Sequence, residues 1–178
     1  MNKHLVAVGV AVVIMLGGLL GCRQEARPFG YLENEVCLAV TGQMDGQEFS
    51  AIVQGGAAQG QSGAAGEAVF VVTYLSPQAL SGVVVESRPG EILRVRLGEL
   101  EAQGEAYEPL AAVGRLLLCE SAVVSSHREA TANGEVLVLR TADGATRRHD
   151  AKTGAPLSIR HVADGRALEM TVAPYDRP

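Results

Sequence analysis

Short apolar runs alternate with turn dipeptides along most of the chain. Around residue 94, Leu93 and Val95 alternate with Arg94 and Arg96, the period of two expected for a strand with one buried and one solvated face. Dipeptides that tolerate positive φ and close hairpins separate many of the runs: Asp45-Gly46, Asn133-Gly134, Asp143-Gly144 and Asp164-Gly165. The pattern therefore predicts antiparallel hairpins over most of the chain.

One segment has a helical period instead. Apolar residues recur there at helical spacing at Leu110, Val113 and Leu117, and their neighbours widen the apolar face. The pattern predicts one helix over residues 107–121. Because its apolar face is so wide, we expect a curved sheet to cover it on more than one side. The predicted fold class is α+β, mainly β: a strongly bent antiparallel sheet, or half-open barrel, packed on one apolar helix.

The amino-terminal segment has the order of an export signal. Lys3 and His4 precede a run without charge from Leu5 to Leu20, and Gly21-Cys22 follows. The run is shorter than the 20 or so apolar residues of a comfortable membrane span, and its glycines weaken a helix. We therefore expect residues 1–21 to be a cleaved signal peptide.

Leu19-Leu20-Gly21-Cys22 resembles the lipobox of bacterial lipoproteins. The resemblance implies that Cys22 carries lipid, with acyl chains such as palmitate, and becomes the new amino terminus. Residues 22–30 would then be a lipidated tether and residues 31–178 a single domain. Several acyl chains together make release from a membrane negligible. The expected location is the extracytoplasmic side of a cell membrane or an outer membrane.

The amino-acid composition limits the kinds of partner that we expect this protein to bind. The chain has 15 basic and 20 acidic residues and no dense Lys/Arg cluster, so nucleic acid is not an expected partner. The chain has no Trp and few other aromatic residues, so we expect a core of Val, Leu, Ile and Ala with Phe49, Phe70 and Tyr74 as its larger members. Residues 55–67 contain five glycines and predict either a flap or a disordered loop. Cys37 and Cys119 allow one disulfide in an exported domain, or two small buried apolar side chains.

Motifs for chemistry are missing from the sequence. It has no His-Glu-x-x-His, Gly-x-Ser-x-Gly or Cys-x-x-Cys motif and no phosphate-binding glycine loop. We therefore expect a protein that is not an enzyme and that holds no metal or cofactor. His127, His149 and His161 lie among polar residues, so we expect exposed strand or turn positions for them. A hydrolase or metal enzyme that uses these histidines is the alternative.

Two segments resemble known exported families. The runs from Val71 to Val85 and from Asp143 to Ile159, together with one apolar helix between strands, resemble the LolA/LolB-like superfamily of lipoprotein carriers. That resemblance implies a half-open barrel plugged by helical elements, although a long helix directly after the tether is missing here. The segment that runs from Asp143-Gly144 through a strand to Asp150-x-x-Thr153-Gly154 also resembles the end of a PepSY module. That resemblance implies a modulator of peptidases.

These observations lead to a predicted apolar groove. We expect the helix and the bent sheet to enclose an acyl chain, a lipid or an apolar peptide, with six candidate lining residues: Val71, Leu93, Val95, Leu110, Val113 and Leu117. Plain core packing gives the same periodicity, so both interpretations stay open. The alternative function is an interaction module for an envelope protein, which would bind through residues 55–67 or an exposed strand edge.

Overall fold

A computed structural model describes residues 27–56 and 69–175 of the chain. The predicted signal peptide, residues 1–21, and the predicted lipidation site, Cys22, lie outside these ranges. Within them, no helix is both long enough and apolar enough to cross a membrane.

In the described ranges, eleven strands form one sheet in which hydrogen-bonded neighbours are antiparallel. In chain order they are β1 Val36–Met44, β2 Gln47–Gly56, β3 Val69–Ser76, β4 Val83–Ser87, β5 Arg94–Leu97, β6 Leu100–Gln103, β7 Val123–Thr131, β8 Gly134–Thr141, β9 Thr146–Asp150, β10 Pro156–Ala163 and β11 Arg166–Pro174. Their spatial order is β6-β5-β4-β3-β2-β1-β11-β10-β9-β8-β7, so only the pairing of β1 with β11 joins strands distant in sequence.

The α-helix of the described part of the chain, α1, spans Glu108–Leu118 between β6 and β7, after a 3-10 turn at Glu105–Tyr107. Pro109 lies in its first turn, where the missing N–H costs nothing. The helix ends because Cys119 adopts an extended backbone. The predicted fold class is confirmed, and the predicted helix is present but ends three residues before residue 121.

The sheet curves around α1. The helix contacts β2, β3 and β4 on one side and β10 on the other. In a flat sheet β4 and β10 would lie about 24 Å apart, whereas a helix is only about 10 Å wide. Contact with both therefore requires a bent sheet. Gly114 permits the close approach to β3, because a Cβ there would lie 2.5 Å from the Phe70 ring.

The core fills the inner face of this bend. Phe70, Val72 and Tyr74 point inward from β3 and are almost completely buried. The Tyr74 hydroxyl donates a hydrogen bond to the Leu110 carbonyl at 2.8 Å, which ties the middle of the sheet to the helix. Burial also raises the pKa of Tyr74 well above its ordinary range.

The amino-terminal border of the domain differs from the expected one. Gly30–Glu33 form a 3-10 turn, and the side chains of Phe29 and Leu32 are 6% and 3% exposed. Residues 27–30 are predicted to belong to the tether, but Phe29 packs in the core of the domain, while Arg27 and Pro28 are exposed. Likewise, β2 continues through Gly56 into the predicted flap, and residues 57–67 lie outside the described ranges.

Candidate functional site

An apolar cleft of about 180 Å³ lies beside the first turns of α1. Two hairpin ends form its other walls, the β1–β2 turn and the β10–β11 turn. Small and aliphatic side chains make its lining: Met44, Pro109, Ala112, Ala163, Ala167 and Leu168. The cleft exists because three of these six residues are alanines, which leave the space between helix and hairpins unfilled.

The two turns that border the cleft are fixed to each other. Asp45 and Asp164 have φ values of 52° and 53° and precede glycines with positive φ, as in tight two-residue hairpin turns. The Asp45 N–H donates to the Ala167 carbonyl at 2.8 Å, and the Ala167 N–H donates to the Asp45 carboxylate at 3.0 Å. The cleft wall is therefore preformed by backbone and turn chemistry.

Polar groups stand at the rim of the cleft. Arg166 pairs with Asp45 at 3.3 Å, and both side chains are substantially exposed. His161 lies 3.0 Å from the Asp143 carbonyl through Nε2, and Asp164 completes the rim. An apolar interior with a few polar groups at its mouth is the usual composition of a site for a small amphiphile.

The six predicted groove residues lie elsewhere. Leu93, Val95, Val113 and Leu117 are 5%, 9%, 0% and 0% exposed and belong to the core. Leu110 is half-buried against that core. The remaining residue, Val71, alternates with buried neighbours in β3 and therefore faces the other side of the sheet. None of the six lines the cleft beside α1.

A buried polar cluster lies at the opposite end of α1. Arg147 of β9 is 1% exposed, and its guanidinium donates to the Leu116 carbonyl, the Asp143 carboxylate and the Thr141 hydroxyl. It therefore neutralises a carboxylate and caps the last turn of the helix. Burial alone would raise the pKa of Asp143, but hydrogen bonds from Thr141 and Ala145 and the charge of Arg147 outweigh it and lower that pKa.

The residues Arg27–Glu33, here called the latch, cover this cluster. The Phe29 ring lies 5.4 Å below the Arg147 guanidinium and 5.7 Å, edge-on, from the His149 ring. Tyr31 lies 5.9 Å from the same imidazole and donates its hydroxyl proton to the Leu117 carbonyl. Burial raises the pKa of Tyr31 well above its ordinary range, so the phenol stays a donor.

His149 corrects a sequence prediction. We predict an exposed side chain from the sequence, but His149 is only 1% exposed. The rings of Phe29 and Tyr31 cover it, and no local pattern around residue 149 indicates this contact. Its Nδ1 contacts the Gly154 carbonyl at 3.0 Å and must therefore be the protonated nitrogen. Nε2 is buried and has no hydrogen-bond partner in the described ranges. Burial, together with the charge of Arg147, lowers the pKa of His149.

The other two histidines have separate surroundings. The His127 side chain is exposed on β7 and pairs with Glu129 at 3.0 Å, whereas His161 stands at the cleft rim. In residues 27–56 and 69–175, no group of three or more His, Cys, Asp or Glu side chains could hold a metal ion. The geometry of these three histidines therefore suggests no shared chemistry.

No disulfide joins Cys37 to Cys119 in the structure. Cys37 alternates with the buried residues Leu38 and Val40, so its side chain points to the outer face of the sheet. Cys119 follows α1 and packs against the core on the inner face. The sheet itself therefore separates the two sulfur atoms.

No protein-family model matches the chain, and no curated protein sequence matches it. Solved structures that are similar to it include the following three. A LolA superfamily protein from Nitrosomonas europaea is 10% identical with a TM-score of 0.41, and the match covers 81% of this chain and 86% of that one. For an outer membrane lipoprotein-sorting protein domain from Vibrio parahaemolyticus, the identity is 10%, the TM-score 0.36 and the coverage 78% and 82%. A DUF1329 family protein from Desulfovibrio piger is 9% identical with a TM-score of 0.40, and the match covers 83% of this chain and 89% of that one. With TM-scores of this size, the likeness assigns neither a family nor a function.

Proposed function

We propose that this protein is an exported, non-enzymatic lipoprotein that is held to a membrane by lipid on Cys22 and binds an apolar ligand in the cleft beside α1. The observation that carries the proposal is the cleft itself, a preformed space between α1 and two hairpin ends that is lined by aliphatic side chains. A site of this kind takes up apolar groups because they leave water without displacing a protein hydrogen bond.

The size of the cleft selects the ligand class. Its volume is about 180 Å³, and an apolar cavity of about 150 Å³ is large enough to bind benzene. The cleft therefore accepts part of an acyl chain or a comparable apolar side chain of a peptide. The polar rim then keeps the head of an amphiphile in water while the chain is buried.

The cleft is tested by filling it. Ala112 is half-buried on α1 and lines the cleft, so Ala112→Phe should occupy the space with a ring. Binding of a fluorescent fatty acid should fall strongly, and lipid that co-purifies with the wild type, measured by mass spectrometry, should disappear. The matched control is Ala130→Phe on exposed β7, which should leave binding unchanged. Equal binding by wild type and Ala112→Phe would exclude this cleft as the site.

The anchor is tested separately. Intact mass and membrane fractionation of the wild type should show a chain that begins at Cys22 with added acyl mass, and Cys22→Ala should abolish both the added mass and the membrane association. An unmodified wild-type chain in the soluble fraction would refute the lipoprotein proposal without bearing on the cleft.

A second candidate function has its own observation. Strand β7 ends the sheet at one edge, and eight of its nine residues are exposed, including Val124 at 71%. A long strand at the edge of a sheet is a template for adding a strand from an envelope protein. Ser126→Pro would block such pairing, so loss of a specific crosslink from β7 in this variant, with ligand binding intact, would favour the interaction module.

A further inference from the structure

The tether between the proposed anchor and the folded domain is short. Five residue steps separate Cys22 from Arg27, the first residue the structure describes. A fully extended chain gains at most about 3.6 Å per residue, so Arg27 lies within about 18 Å of the lipidated cysteine. A domain of this size has a radius of gyration of about 15 Å. The tether is therefore shorter than the domain is wide, and the domain cannot turn freely above the membrane.

The latch fixes the point at which the tether enters the domain. Phe29 has a backbone φ of 68°, a conformation that residues other than glycine rarely adopt. Its ring is buried against Arg147 and His149. The Tyr31 hydroxyl is bonded to the last turn of α1. Two aromatic contacts and one hydrogen bond thus hold the entry point at the carboxyl end of the helix.

The surface beside this entry point includes the turn of residues 151–155. That turn supplies Gly154, whose carbonyl contacts the His149 imidazole under the latch. Its exposed members are Lys152 and Thr153. The Tyr31 hydroxyl bonds to the Leu117 carbonyl, so Glu120, three residues later, is also near the latch. We call Arg27, Glu120 and residues 151–155 the anchor-side surface.

The cleft lies at the opposite end of β10 from the 151–155 turn. β10 begins one residue after the 151–155 turn and ends at the Asp164-Gly165 turn that borders the cleft. Seven strand steps of about 3.3 Å separate these ends by about 23 Å. Along α1, the cleft residue Pro109 and the latch-bound Leu117 are also about 12 Å apart.

From these positions we infer that the anchor-side surface rests on the lipid bilayer and that the mouth of the cleft points away from it. This inference rests on the proposed lipid anchor at Cys22. Its consequence is that ligand enters from the aqueous compartment or from a facing partner, not directly from the membrane that holds the protein.

The chain contains no Trp, so single tryptophans report their own positions. We would reconstitute lipidated full-length protein in phosphatidylcholine vesicles with a nitroxide on the headgroup and compare Lys152→Trp with Val162→Trp. Lys152 is exposed on the anchor-side surface, and Val162 is 57% exposed near the cleft end of β10. We expect strong quenching of the tryptophan at position 152 and little at position 162.

A spacer variant supplies the control. A flexible Gly/Ser insertion of about ten residues between Ala26 and Arg27 adds roughly 18 Å of mean reach. It should keep the protein on floated vesicles and abolish the difference in quenching. Equal quenching of the two single-tryptophan variants, both bound to vesicles and both without the spacer, would overturn the orientation. Protein that fails to float with the vesicles would instead refute the anchor, so the two failures are distinguishable.

Discussion

His149 is the residue whose environment has the clearest energetic consequence. Its neutral ring donates from Nδ1 to Gly154, while Nε2 has no partner in the described part of the chain. The charged groups that face it are the Arg147 guanidinium and, beyond it, the Asp143 carboxylate, and Tyr31 covers it from the latch. A proton on Nε2 would place a second positive charge beside Arg147 in a buried site, so the folded state resists protonation.

A pH dependence of stability follows. The pKa of His149 is lowered in the folded state, whereas in the unfolded chain it is near the ordinary value of about 6.5. The stabilising effect is thus complete above that value and is lost as the pH falls below it, because only the unfolded state then binds the proton. Urea unfolding at about pH 7.5 and about pH 5.5 should show lower stability at the lower pH.

The variant His149→Phe separates this effect from other titrations. A phenyl ring keeps the contacts with Phe29 and Tyr31 and carries no proton, so the loss of stability between the two pH values should shrink. Asp143 does not interfere, because its lowered pKa affects stability only below its unfolded value of about 4. An unchanged pH dependence in the variant would mean that another group carries it.

At the scale of elements, the latch is a small piece with a large effect. It supplies the cover for Arg147 and His149 although only Gly30–Glu33 of it form a 3-10 turn. We expect Phe29→Ala to lower the free energy of unfolding by about 3–5 kcal/mol, because it leaves a cavity and lets water reach a buried guanidinium. Chemical denaturation would measure the loss, with exposed Pro28→Ala as the control. A loss as small as that of the control would show that the latch does not contribute to stability.

Elements with a strong period were predictable and the latch was not. The wide apolar face of α1 and the Asp-Gly turns are local signals, and the structure contains both. Pro28 and Gly30 are typical of linkers, so the local sequence predicts a tether up to residue 30, while the contacts of the latch lie more than 80 residues away, as the bond from Tyr31 to Leu117 shows. β6 has only four residues, too few for a period to be recognised.

The cleft illustrates why a site can escape sequence analysis altogether. Leu93 and Val113 have the periodicity of a groove lining but fill the core, whereas the cleft is made by what is missing at Ala112, Ala163 and Ala167. Empty volume depends on how a helix meets two hairpin ends across the whole molecule. An alanine in a single sequence does not reveal whether a neighbour fills the space above it.

The pairing of β1 with β11, here called the seam, connects the two halves of the sheet. It joins the part of the sheet built by β1–β6 to the part built by β7–β11, and Gly42 of β1 lies opposite Met170 of β11. A Cβ at Gly42 would lie 2.1 Å from the Glu169 carbonyl oxygen and 2.8 Å from the Met170 Cα, and backbone atoms cannot yield cheaply. Gly42→Ala should therefore force the seam apart.

We expect Gly42→Ala to cost about 1–3 kcal/mol or more and to weaken both halves together, because neither half can bury its inner face against α1 alone. Hydrogen exchange should show protection falling in β3 and in β9 to a similar extent. Gly30→Ala is the matched control, since its Cβ would lie 3.5 Å from the Arg27 side chain, an ordinary contact. Protection lost only in β1 and β11 would instead mean that each half folds independently and that α1, not the seam, holds the molecule together.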